Sequence, residues 1–133
     1  MARRVIVDSN FLMIPFEAGL DVFSELEKIL SVKVEPVLLP PVGEELERLA
    51  SKGKPKTRRI ASSALRLAEK CVKLEYDRRQ GESVDDYLVR VARETGLPVA
   101  TADLELKRKL RAEGVSTIYI RGGRRLELEG RWE

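Results

Sequence analysis

The residues with the clearest chemical potential in this sequence are acidic, and they stand beside predicted helix and strand ends. They are Asp8, Glu45, Asp85, Asp86, Asp103 and Glu105. The chain has no histidine, which excludes serine–histidine and cysteine–histidine nucleophiles and histidine-rich zinc sites. Because an all-oxygen ligand set selects Mg²⁺ or Mn²⁺ over zinc, hydrolysis by this chain would depend on carboxylates and one of these cations.

Two of the acids follow predicted strands. Asp8 ends an apolar, β-branched strand that starts at Arg4, and Asp103 follows a strand over Pro98–Thr101. The carboxyl ends of parallel strands share one edge of a sheet, where ligands bind in this class of fold. Thr101 can offer a hydroxyl to the same place. Each acid alone also fits an ordinary turn or helix-capping residue.

Two further acids open predicted helices. Glu45 lies at the margin of the apolar stripe of its helix, whereas Glu44 points away from that stripe. By the same helical phase, Asp85 falls on the inner margin of the helix capped by Ser83, and Asp86 falls on its outer face. A favourable interaction with the helix dipole is the alternative explanation for both positions. Acids gathered at one edge raise each other's pKa unless a divalent ion neutralises them.

The elements that must position these acids alternate between strand and helix, which predicts a three-layer α/β/α fold around a mainly parallel sheet of about five strands. We predict strands at Arg4–Asp8, Val34–Leu39, Val72–Tyr76, Pro98–Thr101 and Val115–Ile120. We predict helices at Asp21–Leu30, Val42–Ala50, Thr57–Cys71, Val84–Thr95 and Leu104–Ala112, with a short helical turn over Phe11–Pro15 that Pro15 limits.

The length of 133 residues, with 43% hydrophobic residues, fits one domain over residues 1–126 and a polar tail over residues 127–133. No apolar run approaches the ~18 residues of a membrane span, and the first residues lack the pattern of a signal peptide. We therefore expect a cytoplasmic protein. The single cysteine, Cys71, is expected to be a buried structural thiol because no histidine can activate it.

Basic residues form clusters despite a net charge of only +3. The residues that we expect to contact a polyanion are Lys52, Lys54, Lys56, Arg58, Arg59, Lys107, Arg108 and Arg121. Gly53 and Pro55 interrupt the first cluster, so we predict a mobile basic loop there. A merely solvated basic face is the alternative for each cluster.

The acidic motifs resemble those of PIN domains. The segments that carry the resemblance are VDSNFLMIPF (7–16), VGEEL (42–46), SVDDYL (83–88) and VATADLELKRKL (99–110). Within the family the sequence looks most like archaeal and eukaryotic relatives of the small-subunit processome nuclease, whose archaeal members have an ending similar to RGGRRL (121–126). The resemblance runs from Val5 to about Leu126.

The resemblance implies a PIN-like fold and an endoribonuclease that uses one or two Mg²⁺ or Mn²⁺ ions. By position, the four family acids correspond to Asp8, Glu45, Asp85 and Asp103. Glu105 would be an auxiliary acid, Asp86 remains an alternative to Asp85, and Ser9 or Asn10 would hold Asp8 in place. The implied partner is RNA, as a ribosomal precursor, and a homodimer is compatible with the family.

Other functions are compatible with the same motifs. A toxin ribonuclease of the VapC type would use the same chemistry and require an antitoxin partner. A non-catalytic RNA-binding scaffold would keep the fold without the activity. A phosphate-accepting receiver domain is excluded, because Ser9 and Asn10 stand where it would have adjacent acids.

Overall fold

The computed structural model describes residues 2–131 and contains a sheet with the strand order β3-β2-β1-β4-β5-β6. Neighbouring strands are parallel except β5 and β6, which are antiparallel. The strands are β1 (Arg3–Val7), β2 (Val34–Leu38), β3 (Val72–Lys73), β4 (Val99–Thr101), β5 (Thr117–Arg121) and β6 (Arg125–Glu129). Residues 1, 132 and 133 lie outside the described part of the chain.

Six helices accompany the sheet in the described residues and complete a three-layer α/β/α fold. They are α1 (Ser9–Ala18), α2 (Val22–Leu30), α3 (Pro40–Lys52), α4 (Pro55–Ala68), α5 (Val84–Thr95) and α6 (Leu104–Ala112). The predicted fold class is confirmed. No helix within residues 2–131 is long and apolar enough to cross a membrane.

The centre of the sheet is its most deeply buried part. Val5, Ile6 and Val7 of β1 are fully buried, as expected for a parallel strand covered by helices on both faces. Strand β1 lies between β2 and β4, with Ile6 opposite Val99. The carboxyl ends of β1 and β4 are therefore neighbours at one edge, and α1 and α6 start there.

The prediction that Pro15 limits a short helical turn is wrong. Helix α1 continues through Pro15 to Ala18 and ends at Gly19, whose φ of 70° is left-handed. The turns around Pro15 bury Phe11 and Leu12 completely. Burial of such side chains contributes roughly 1.5–3 kcal/mol each, which matches or exceeds the cost of about 3 kcal/mol for a proline inside a helix.

The predicted mobile loop after Glu45 is also wrong. Lys52 is the last residue of α3, and Pro55 is the first residue of α4. Proline is well suited to the first position of a helix, where its missing N–H group costs nothing. Only Gly53 and Lys54 connect the two helices, so most of the basic cluster lies on helical surfaces.

The two ends of the sheet differ from the predicted strands. Strand β3 covers only Val72–Lys73 rather than Val72–Tyr76, and β5 covers Thr117–Arg121 rather than Val115–Ile120. The sixth strand was not predicted: Arg125–Glu129 pairs with β5 after a turn at Gly122 and Gly123. The sheet thus includes residues 127–129, which were predicted to belong to the polar tail.

A buried arginine fixes the segment that leads into α5. Arg90 is only 8% exposed, and it donates hydrogen bonds to Glu82 at 2.8 and 3.0 Å and to the Asp77 carbonyl at 2.6 Å. The Tyr87 hydroxyl donates to the Tyr76 carbonyl at 2.5 Å. These bonds anchor the chain just before the amino terminus of α5.

The Arg90–Glu82 pair predicts a specific loss of stability in acid. The Arg90 guanidinium lowers the pKa of Glu82 from 4.5 to about 2. A lowered folded-state pKa contributes stability that is fully present above pH 4.5 and is lost as the pH falls through about 2. Denaturant titrations between pH 7 and pH 2 should therefore show a smaller acid dependence in Glu82→Gln than in the wild type, with lower stability at pH 7. Glu44→Gln, which neutralises an exposed acid, is the matched control; a Glu82→Gln curve parallel to the wild type would contradict the assignment.

Replacing Pro15 should stabilise the protein. Pro15→Ala gives the Phe11 carbonyl a helical donor and recovers most of about 3 kcal/mol. The substitution also gives the unfolded chain more conformational freedom, which reduces the gain by up to ~1 kcal/mol. The expected net gain in the free energy of unfolding is roughly 2 kcal/mol. Pro40→Ala, at the first position of α3, should give no such gain. Equal effects of the two substitutions in urea denaturation would refute this account.

Candidate active site

A polar cavity of about 220 Å³ lies at the carboxyl edge of β1 and β4. It brings together all four acids that the sequence assigned to the site. Its lining residues are Asp8, Ser9, Asn10, Val42, Glu45, Val84, Asp85 and Asp103. The expected convergence at the strand edge is therefore found in the structure, while the catalytic and metal-binding roles of these acids remain predictions.

A hydrogen-bond network centred on Thr101 holds the first acid. Thr101 is fully buried, and its hydroxyl lies 2.9 Å from Oδ2 of Asp8 and 3.3 Å from Oδ1 of Asn10. The same hydroxyl oxygen accepts a bond from the Asp103 N–H group at 3.0 Å. Asn10 Oδ1 accepts from the Ala102 N–H group at 2.9 Å. The start of α1 is thus tied to the connection between β4 and α6.

Asp8 is the most buried acid of the cavity, at 7% exposure. Burial is the main reason why its pKa is raised above 3.8, and the nearby charges of Asp85 and Asp103 raise it further. Hydrogen bonds from Thr101 and the Ser9 N–H group oppose the shift without cancelling it. A carboxylate in this position needs a proton or a cation to compensate its charge.

Glu45 enters the cavity from the second turn of α3. Its side chain is 37% exposed and forms a forked ion pair with Arg48, whose Nη2 lies 2.8 and 2.9 Å from the two carboxylate oxygens. Glu44 is exposed and is not part of the cavity lining. The choice of Glu45 over Glu44 from helical phase agrees with this geometry.

Asp85 enters from the first turn of α5. Ser83 caps this helix by accepting a bond from the Asp86 N–H group at 3.1 Å, which leaves Asp85 facing the cavity and Asp86 exposed outside it. The pKa of Asp85 is raised mainly by burial and next by the charge of Asp103, while Lys109, 3.9 Å away, lowers it. Helical phase alone correctly placed Asp85 inside and Asp86 outside.

Asp103 combines capping with a position in the cavity. Its Oδ1 accepts bonds from the N–H groups of Glu105 at 2.9 Å and Leu106 at 3.2 Å, which caps α6. Glu105 itself is exposed and outside the cavity lining. Its charge nevertheless contributes to the raised pKa of Asp85. Capping and participation in the site are therefore compatible roles.

The donor set fits a hard divalent cation, although the side chains do not form a ready coordination shell. Within residues 2–131, no group of three acidic or cysteine side chains is arranged to hold an ion directly. Arg48, Lys109 and the N–H groups of α6 instead engage Glu45, Asp85 and Asp103. In these positions Glu45, Asp85 and Asp103 face donors of the protein itself, so their roles as metal ligands remain predictions.

Outside α3 and α4, two of the three residues predicted to contact a polyanion already pair with acidic side chains of the protein. Lys107 lies 3.0 Å from Glu129 and 3.8 Å from the centre of the Tyr119 ring. Arg121 pairs with Glu127 at 3.0 Å, whereas Arg108 is exposed. Sequence reasoning missed the role of Arg48 beside Glu45, although a spacing of three residues on a helix is a known signal for such a pair.

Comparison with known proteins supports the interpretation of this cavity. The family model described as a PIN like domain matches residues 5–123. Ribonuclease VapC4 of Methanocaldococcus jannaschii is 32% identical over 96% of this chain and 97% of its own length. The human rRNA-processing protein FCF1 homolog is 32% identical over 88% of this chain, but the match spans only 57% of that protein.

A solved structure agrees with the sequence matches. The PIN domain endonuclease Utp24 superimposes with a TM-score of 0.77 at 27% identity, covering 96% of this chain and 92% of that one. The matched residues 5–123 include Asp8, Glu45, Asp85 and Asp103. The chain belongs to the PIN domain family.

Proposed function

We propose that this protein is a metal-dependent endoribonuclease that hydrolyses RNA phosphodiester bonds in ribosomal RNA processing. The observation that carries the proposal is the convergence of four acids on one cavity, with the buried Asp8 at its base. The names of its relatives support the class of reaction: a VapC ribonuclease, rRNA-processing proteins and a PIN domain endonuclease.

The carboxylates of Asp8, Asp85 and Asp103 would hold Mg²⁺ or Mn²⁺, with Glu45 as a further ligand or as the group that orients a water molecule. When bound, such an ion lowers the pKa of a water molecule and neutralises charge on the phosphate. Thr101 keeps Asp8 in a fixed orientation through the 2.9 Å bond to Oδ2. Asp8 therefore needs little reorganisation when the substrate arrives.

Two cations of the chain stand at the rim of the cavity. Arg48 and Lys109 are 56% and 43% exposed at their side chains while they pair with Glu45 and Asp85. Exposed pairs of this kind contribute little to stability, so these side chains can turn from a carboxylate to a phosphate oxygen at small cost. We assign them a role in binding the RNA strand at the cavity.

The toxin ribonuclease is the second candidate, because Ribonuclease VapC4 matches nearly its entire length. The two functions differ in partner. A toxin would copurify with a small antitoxin encoded beside it and would be inhibited by that antitoxin. A processing nuclease would cut precursor ribosomal RNA at defined positions without such an inhibitor. Incubating the purified protein with precursor rRNA and mapping the cut ends separates them.

Asp8→Asn should abolish cleavage while preserving the fold. The substitution removes a charge that a divalent ion needs, and the loss should be on the order of 100-fold or more, the scale of losing one preorganised electrostatic group. Without divalent ions the variant should be as stable as the wild type or more stable, because it relieves repulsion with Asp85 and Asp103. RNA cleavage and thermal denaturation measure the two effects. Glu44→Gln is the matched control, and cleavage by Asp8→Asn at the wild-type rate under saturating Mn²⁺ would contradict the mechanism.

Neutralising Asp85 or Asp86 separately should change the affinity for Mn²⁺ by different amounts. Asp85→Asn removes a carboxylate that lines the cavity, so the affinity for Mn²⁺ should fall about 10-fold or more. Asp86→Asn changes an exposed acid outside the cavity and should alter affinity far less. Water-proton relaxation with Mn²⁺ measures both constants directly. A larger loss in Asp86→Asn would reverse the assignment of the third acid.

A further inference from the structure

A second charged surface, separate from the acidic cavity, lies on α3 and α4. No acidic residue occurs between residues 48 and 68. The ion pairs of the described residues all lie outside 49–68, so the cations of this segment have no acidic partner within residues 2–131. These cations are Lys52, Lys54, Lys56, Arg58, Arg59 and Arg66.

Several of the cations line a groove of about 580 Å³, here called the hairpin groove. Its lining residues are Ala50, Pro55, Arg58, Arg59, Ser62, Ser63 and Arg66. Arg66 donates a bond to the Ser63 hydroxyl at 3.2 Å, which orients both groups along the groove. Guanidinium groups and hydroxyls without a neighbouring carboxylate are the donors that bind phosphate oxygens.

The cations at the start of α4 oppose the dipole of that helix. Lys56, Arg58 and Arg59 lie within the first five residues of this helix, its first turn contains no acid, and no side chain caps it. Cations at a helix amino terminus are unfavourable by roughly 0.3–1 kcal/mol each. Their placement lowers the stability of the fold, and a bound polyanion would offset that cost.

An exposed aromatic side chain adjoins the groove. Phe16 of α1 is 42% exposed and lines a recess of about 260 Å³ with Lys56, Arg59, Ile60 and Ser63. Arg59 and Ser63 line both the recess and the groove, so the two are adjacent. An aromatic face beside phosphate-binding cations is the arrangement that binds unpaired nucleotides, whose bases stack on the ring.

Helix α1 connects this surface to the acidic cavity. Ser9 lines the cavity and Phe16 lines the recess. Seven residues at about 100° each make nearly two full turns, so the two side chains share one face of α1, separated by a rise of about 10 Å. That distance corresponds to roughly three stacked nucleotides at about 3.4 Å each.

We propose that the hairpin groove and Phe16 form a binding site for single-stranded RNA that holds the strand a few nucleotides from the acidic cavity. Arg58, Arg59 and Arg66 bind the phosphates, and a base stacks on Phe16. The bases of a duplex already stack on each other, so only an unpaired segment uses the aromatic ring. The site rests on the proposed ribonuclease function and adds to it a second contact surface for the strand, outside the acidic cavity.

The test is fluorescence anisotropy with a labelled single-stranded oligoribonucleotide of about ten residues, in EDTA so that binding is measured without cleavage. Phe16→Leu should weaken binding about fivefold or more, as expected for the loss of one stacked base. Phe16→Tyr keeps the aromatic ring and should restore near-wild-type affinity. Arg59→Gln should reduce the slope of log affinity against log salt by up to ~0.7.

Lys33→Gln is the matched control for charge, since Lys33 is an exposed cation outside the groove and recess. Its slope of log affinity against log salt should lie nearer the wild-type value than that of Arg59→Gln. Circular dichroism melting verifies that each variant folds. Equal RNA affinity of Phe16→Leu and the wild type overturns the proposal and points to an apolar contact with a protein instead. The proposal is also overturned if Phe16→Tyr and Phe16→Leu lose RNA affinity equally, or if a duplex binds more tightly than the single strand. It is likewise overturned if Arg59→Gln reduces the salt slope no more than Lys33→Gln does.

Cleavage by the same variants in Mn²⁺ separates the two proposals. If the RNA-binding pattern holds but the wild type does not cut RNA, the ribonuclease function is wrong and the binding site stands. If the wild type cuts RNA and the variants bind normally, the binding site is wrong and the ribonuclease function stands.

Discussion

The hydrogen bond between Thr101 and Asp8 is the contact on which the arrangement of the site depends. It joins the ends of β1 and β4 at 2.9 Å inside the protein. The oxygen that donates to Asp8 also accepts from the Asp103 N–H group at 3.0 Å, so one buried hydroxyl sets the relative positions of the first and fourth acids. Leaving a buried carboxylate without such donors costs several kcal/mol. The parallel pairing of the two central strands brings these groups together.

The remaining acids are stabilised by partners near the surface. Arg48, Lys109 and the amino terminus of α6 neutralise Glu45, Asp85 and Asp103 in turn. The ion pairs of Arg48 and Lys109 are exposed and individually weak, in contrast to the buried pair of Arg90 and Glu82. The most buried ion pair within residues 2–131 thus anchors the start of α5, whereas Glu45 and Asp85 pair with cations that a divalent ion can replace.

The sequence was sufficient to predict the sheet edge and the acids that meet there. Asp8 and Asp103 follow parallel strands, and helical phase separates Asp85 from Asp86, since both arguments depend only on local geometry. The errors came from tertiary effects. Burial of Phe11 and Leu12 keeps α1 intact through Pro15, which propensity alone would not predict. Pairing with β5 makes a strand of Arg125–Glu129, although this segment has a polar composition. The ion pair of Asp85 with Lys109 links α5 to α6, and no sequence spacing reveals it.

Both charged surfaces lower the stability of the fold, and helices α1 and α3 connect them. The acidic cavity gathers like charges, and the amino terminus of α4 gathers cations against its own dipole. Helix α1 starts at the acids and reaches Phe16, while α3 carries Glu45 near its start and Lys52 at its end. Stability alone would favour acids at the start of α4 and fewer acids at the edge of the sheet. Under the proposed function, the phosphates of an RNA strand would offset the repulsion among the cations of the hairpin groove, and a divalent cation would neutralise the acids of the cavity.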